Sequence, residues 1–134
     1  MKLQLQRYQT QQVQYDVQQA SPVRLIVLLY QKAIFLLKQS LGYLERQDYK
    51  AKGEALLHVV DIVSELQSSL NMEEGGMLAQ NLDDLYSFLL RTLTMANLSN
   101  DADSIRHAIK ILEELCRGWS ELEQQTASVQ NKAQ

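Results

Sequence analysis

The stretch Ala20–Leu37, "ASPVRLIVLLYQKAIFLL", decides the fold class. Ser21 is of a helix-capping type, and Pro22 suits the first helical position, where its missing N–H costs nothing. Behind them apolar residues recur at intervals of three and four, the α-helical period. Ile26, Leu29, Ala33, Leu36, Leu37, Ser40 and Leu44 make one face, with Arg24, Gln31 and Lys38 roughly opposite. The pattern predicts a helix to about Arg46. It also carries more apolar surface than one face requires. Val27, Tyr30, Ile34 and Leu41 widen the face on one side, and Leu28 and Phe35 lie beyond it on the other.

Working outward, Asp48 can cap a second helix whose core face is Leu56, Val59, Val60, Val63, Leu66 and Leu70. Asn71 and the pair Gly75-Gly76 interrupt the chain. A third helix carries the row Leu78, Leu82, Leu85, Leu89, Leu93 and Ala96, with Tyr86 beside it. "NLSND" (Asn97–Asp101) breaks that row, and Asn100 or Asp101 caps a fourth helix bearing Ile105, Ala108, Ile109, Leu112, Leu115, Cys116, Trp119 and Leu122. Short connections between long helices force antiparallel neighbours. The expected fold is all-α: an antiparallel up-down-up-down four-helix bundle over residues 21–122. Residues 1–20 form an extended or short-helical N-terminal segment, and 123–134 a frayed polar tail. No strand pattern or internal repeat is visible.

Composition agrees. A chain of 134 residues fits one domain and buries a core without staples. With one proline and five glycines there are few helix breakers. The net charge of −3, with no Lys/Arg run, argues against a nucleic-acid partner. The lone Cys116 cannot form an internal disulfide and sits at core spacing, which suits a reducing, cytoplasmic setting. Gln31, Lys32 and Lys38 break the apolar stretch before it reaches the roughly 20 residues that span a bilayer, so no membrane insertion is expected.

Reactive chemistry is largely missing. A di-metal bundle centre needs Glu-x-x-His pairs, but Ala55 precedes His58 and Ser104 precedes His107. No phosphate loop, Cys-x-x-Cys pair or nucleophile elbow occurs, so neither a cofactor nor a metal is expected. His107 and Lys110 have the spacing found in histidine phosphotransfer bundles, but Ile111 stands where a small glycine normally follows the lysine. A solvent-facing surface histidine is the plainer reading. The surplus apolar rows remain. Met77, Phe88 and Met95 align along one flank of the third helix, and Ile62 and Ile111 extend the faces of theirs. Such rows suit a docking surface for amphipathic helices, for which methionines repack readily. The competing readings are ordinary surface apolarity, or cover by the N-terminal segment.

The segments "ASPVRLIVLLY" (Ala20–Tyr30), "ELQSSLNMEEGGMLAQNLDDLY" (Glu65–Tyr86) and "LTMANLSND" (Leu93–Asp101), with Trp119 closing the last helix, resemble the FliS family of flagellar secretion chaperones. Order and spacing match over about residues 8–122. Gln31-Lys32 departs from the small or glycine residue that often follows the Leu-Tyr pair. The resemblance implies a non-enzymatic cytoplasmic chaperone binding the C-terminal helical segment of flagellin. It would block premature polymerisation and aid delivery to the flagellar type III export apparatus. The residues expected at the partner surface are Tyr8, Val27, Tyr30, Ile34, Ile62, Met77, Phe88 and Met95. Tyr8 is carried over from the family, whose N-terminal region lies near the client, and residues 1–20 are expected to act as a lid over the groove. From residue physics alone, a generic adaptor for another amphipathic helix stays open.

Overall fold

A computed structural model of the chain describes residues 21–133. These form four helices: α1 (Pro22–Glu45), α2 (Tyr49–Ser68), α3 (Met72–Ser99) and α4 (Ala102–Ala133). α1 packs against α2 and α4, and α3 closes the ring against the same two helices. This is the antiparallel four-helix bundle that the short connections dictate. Tyr8 and the N-terminal segment with its lid role lie outside the described residues.

The helix starts follow the capping logic. The Arg24 N–H donates to Ser21 Oγ at 3.1 Å, and the Ala51 N–H to Asp48 Oδ1 at 3.2 Å. Asp101 accepts from the Asp103 and Ser104 N–H groups and from the Ser104 hydroxyl, which hold its carboxyl below the usual range. Asn100 is the left-handed residue that ends α3 (φ 53°), a role asparagine tolerates.

Two boundaries differ from the sequence reading. α3 begins at Met72, because Asn71 Oδ1 accepts the Glu74 N–H at 3.0 Å and caps a first turn. The glycine pair breaks this helix internally instead of preceding it. Gly76 has φ 55° and ψ −133°, a conformation open to glycine, and a Cβ on Gly75 would sit 2.5 Å from the Ala79 Cβ. The whole stretch 72–78 is consequently exposed, so Leu78, expected in the core row, is on the surface. At the other end, α4 continues as a helix through the expected frayed tail to Ala133. Its 32 residues span roughly 48 Å at 1.5 Å per residue, beyond the start of α1. Beyond the Glu123 carboxylate, which Arg24 of α1 still reaches, residues 124–129 are exposed, and Leu122 is exposed as well.

The core is a continuous apolar cluster drawn from all four helices, including Leu37, Leu56, Val59, Val63, Leu89, Leu93, Ile105 and Leu112. A polar pair lies within it. The Tyr30 and Tyr86 hydroxyls meet at 2.5 Å from α1 and α3, both fully covered. Among the described residues, α1 alone is long and apolar enough by composition to cross a membrane, which the sequence reading did not anticipate. In the bundle its Tyr30, Ala33, Leu36 and Leu37 are core, and Lys38 reaches Glu113 on α4 at 3.4 Å.

Candidate client-docking surface

The four helix pairs are held in different ways. α2 and α3 are tied by polar contacts near both ends. Gln67 Nε2 donates to Ser87 Oγ and to Asp83 Oδ1 at 2.8 and 3.1 Å. Lys52, only 4% exposed, donates from Nζ to Asn97 O and Oδ1 at 2.8 and 2.7 Å. Burial pushes its ammonium below the usual lysine range, and the orphan carbonyl at the end of α3 gives it a partner. α1 and α4 carry two surface ion pairs, Arg24–Glu123 at 3.6 Å and Lys38–Glu113 at 3.4 Å. Pairs this exposed fix register more than stability.

The α3–α4 seam differs. It is the least closely packed of the four, and among the described residues no side-chain hydrogen bond or ion pair crosses it. Its ring contact is Phe88 against His107, centroids 6.3 Å apart and near perpendicular at 75°. That contact fixes which flanks face each other. On α3, Met77 and Met95 lie eleven residues before and seven after Phe88, on the same flank. On α4, Ile111, Leu115, Gly118 and Leu122 continue the flank of His107 at helical spacing. Met77 is 75% exposed, Met95 62% and Phe88 39%. Ile111 and Leu115 are half-buried and form the floor. The result is a track with mobile apolar side chains on one wall and a packed apolar base.

Of the eight expected partner residues, Tyr8 lies outside the described residues, and the other seven separate sharply. Met77, Phe88 and Met95 stand together on the exposed flank of α3. Ile34 is half-buried and packs on the core. Val27, Tyr30 and Ile62 are each at most 1% exposed and point inward. The reason is topological. α1 lies between α2 and α4, so both flanks of its apolar face are covered, and most of the surplus in Ala20–Leu37 is core. Phe35 is the exception, exposed on the outer face beneath Lys32, whose ammonium lies 5.4 Å from its ring centre. Leu98, missed in the sequence, is exposed one turn beyond Met95. Its spacing of three from Met95 was the available signal. Beside it, Leu90, Arg91, Thr94 and Met95 line a shallow depression of about 360 Å³ on the outer face of α3.

Among the described residues the titratable groups show no reactive centre. His107 serves as a ring contact for Phe88. Cys116 is half-buried, and burial pushes its thiol upward, away from the thiolate that nucleophilic chemistry uses. Among the described residues no group of His, Cys, Asp and Glu has the placement to hold a metal ion.

Comparison with known proteins gives a consistent result. The family model of the flagellar protein FliS matches residues 4–126. The flagellar secretion chaperone FliS of Vibrio cholerae is 34% identical over 122 residues, covering 91% of this chain and 90% of the relative. That of Salmonella typhimurium is 35% identical over 119 residues, 88% of each chain. The flagellar secretion chaperone FliSB of Pseudomonas aeruginosa is 36% identical over 115 residues, 86% of this chain and 91% of the relative.

Proposed function

The chain belongs to the FliS family of flagellar secretion chaperones, and on that footing we propose that its client is the C-terminal helical segment of flagellin. The chaperone holds this segment in the cytoplasm, prevents its premature polymerisation and hands it to the flagellar export apparatus. It acts by binding and performs no covalent chemistry. The observation that carries the reading is the unbridged α3–α4 seam, edged by Met77, Phe88 and Met95. A terminal segment that folds as it binds needs a long apolar track more than a deep pocket, because it buries on the order of 1,000–3,000 Å² to offset its ordering. The flank from Met77 to Met95 runs roughly 27 Å along α3, about five helical turns.

Phe88 is the sharpest test. Removing a phenyl ring that a client helix covers forfeits roughly 1.5–3 kcal/mol of binding, about 10- to 100-fold in Kd. The same ring is 39% exposed in the free protein, so its loss touches the fold much less. Titration calorimetry with the flagellin C-terminal segment is expected to show Phe88→Ser weakened by at least tenfold, with the thermal midpoint nearly unchanged. A large fall in the midpoint with unaltered affinity would return Phe88 to the core and remove the seam as the docking surface.

A further inference from the structure

Gly118 sits in the interior of α4, where glycine is the poorest helix former after proline. Among the described residues nothing asks for it. A Cβ built at Gly118 meets no atom within 4 Å, whereas one at Gly75 would collide with Ala79. No neighbouring helix approaches closely there. The absent side chain is therefore a cost in helix stability that no contact among the described residues repays.

Its place on the bundle supplies a reason. Gly118 lies eleven residues beyond His107, on the flank of α4 that faces the seam. Met77 lies eleven residues before Phe88 on the antiparallel α3. Because Phe88 and His107 are in contact, Met77 and Gly118 come level roughly 16 Å further along. At that level α3 has just emerged from its Gly76 break, and Met77 and Leu78 are exposed. The seam is thus held at Phe88–His107 and bare at Met77–Gly118. A side chain at position 118 would project into this opening and hold any incoming backbone away from α4.

We infer that Gly118 marks the crossing point where the backbone of a client helix lies directly against α4, with Met77 folding over it from α3. The inference rests on the flagellin reading above and adds where that helix makes its closest approach. The occupant is an amphipathic helix with a small residue at the crossing and a basic flank. Glu73, Glu74, Glu114 and Glu121 are exposed on the two helices at this end and outnumber the exposed Arg117, leaving an acidic surface that complements a cationic flank.

The test uses the full chain and a peptide of the flagellin C-terminal segment, comparing wild type with Gly118→Ala, Gly118→Leu and Phe88→Ser. Both Gly118 variants are expected to raise the thermal midpoint, by about 2–5 °C, because each is a better helix former with open space around it. Gly118→Leu is expected to weaken the peptide at least about tenfold and Gly118→Ala only a few-fold, in order of side-chain size. Stabilisation combined with lost affinity is a result that a purely structural glycine does not give. Wild-type affinity in Gly118→Leu, with Phe88→Ser weakened, overturns the crossing point and leaves the flagellin reading standing. Failure of the wild-type chain to bind the peptide overturns both.

Discussion

Ile62→Ala is expected to cost the protein about 2–5 kcal/mol of stability while leaving client affinity of the folded fraction unchanged. Ile62 is 1% exposed on α2 and belongs to the cluster that also holds Leu37, Leu89 and Leu112. Truncation removes apolar atoms from water-free packing and leaves a cavity that the long helices cannot collapse to fill. Domains of this size are stable by roughly 5–15 kcal/mol, so the loss is a large fraction of the whole. Urea unfolding would show it as a lowered midpoint with an unchanged slope. A variant that keeps its midpoint and loses client affinity would place Ile62 on the docking surface after all. The contrast with Phe88→Ser is deliberate: one substitution strikes the fold, the other the seam.

Ile62 and Phe88 also show what the sequence could and could not reveal. Both extend an apolar row at helical spacing, and a wheel drawn at 100° per residue treats them alike. What separates them is how closely the neighbouring helices pack on each side. α2 has Ile62 turned into the cluster, whereas α3 leaves one flank against the loosely held seam. The helices and caps were legible because they depend on local chemistry: Ser21 with Pro22, Asp48, and Asp101 each act within their own first turn. The core rows were legible because a buried stripe repeats with the helix period. Leu78 broke that rule, since its position depends on a backbone break two residues earlier at Gly76.

The sequence could not show how the tyrosines pair either. Tyr30 and Tyr86 are 56 residues apart in the chain and meet only because α1 and α3 sit diagonally across the bundle. A hydrogen-bonded pair in an apolar interior constrains packing more strictly than two leucines would, because each hydroxyl must reach the other. It therefore bears on the seam: Tyr86 is two residues from Phe88, and the orientation of α3 that holds its hydroxyl on Tyr30 also turns Phe88 toward α4.

That pair carries the second large effect, an alkaline unfolding transition. Burial pushes the Tyr30 hydroxyl far above the ordinary tyrosine range, and the neighbouring Tyr86 adds to the shift. Burial likewise raises Tyr86, partly offset by its hydrogen bond to Tyr30. In the unfolded chain both ionise near pH 10. Folded-state values raised above the unfolded ones mean that the stabilisation is complete below about pH 10 and drains away as pH climbs past it. Each linked proton removes up to about 1.4 kcal/mol per pH unit. Two pH units past the onset, Tyr30 alone removes about 3 kcal/mol, a large share of the stability of a small domain. Lys52 acts in the opposite sense, since its folded value is lowered by burial. Its cost is relieved as pH rises toward the ordinary lysine value of about 10.4, so stability climbs gently before the tyrosines bring it down. Urea midpoints measured across this range, read alongside tyrosinate absorbance, are expected to fall steeply above pH 10, with two tyrosines ionising only as the chain unfolds. Tyr86→Phe should make that fall shallower, because one linked proton is gone and Tyr30 loses the neighbour that adds to its shift. Full ionisation of every tyrosine near pH 10 with helicity intact would mean that the pair is open to solvent and the diagonal contact does not hold.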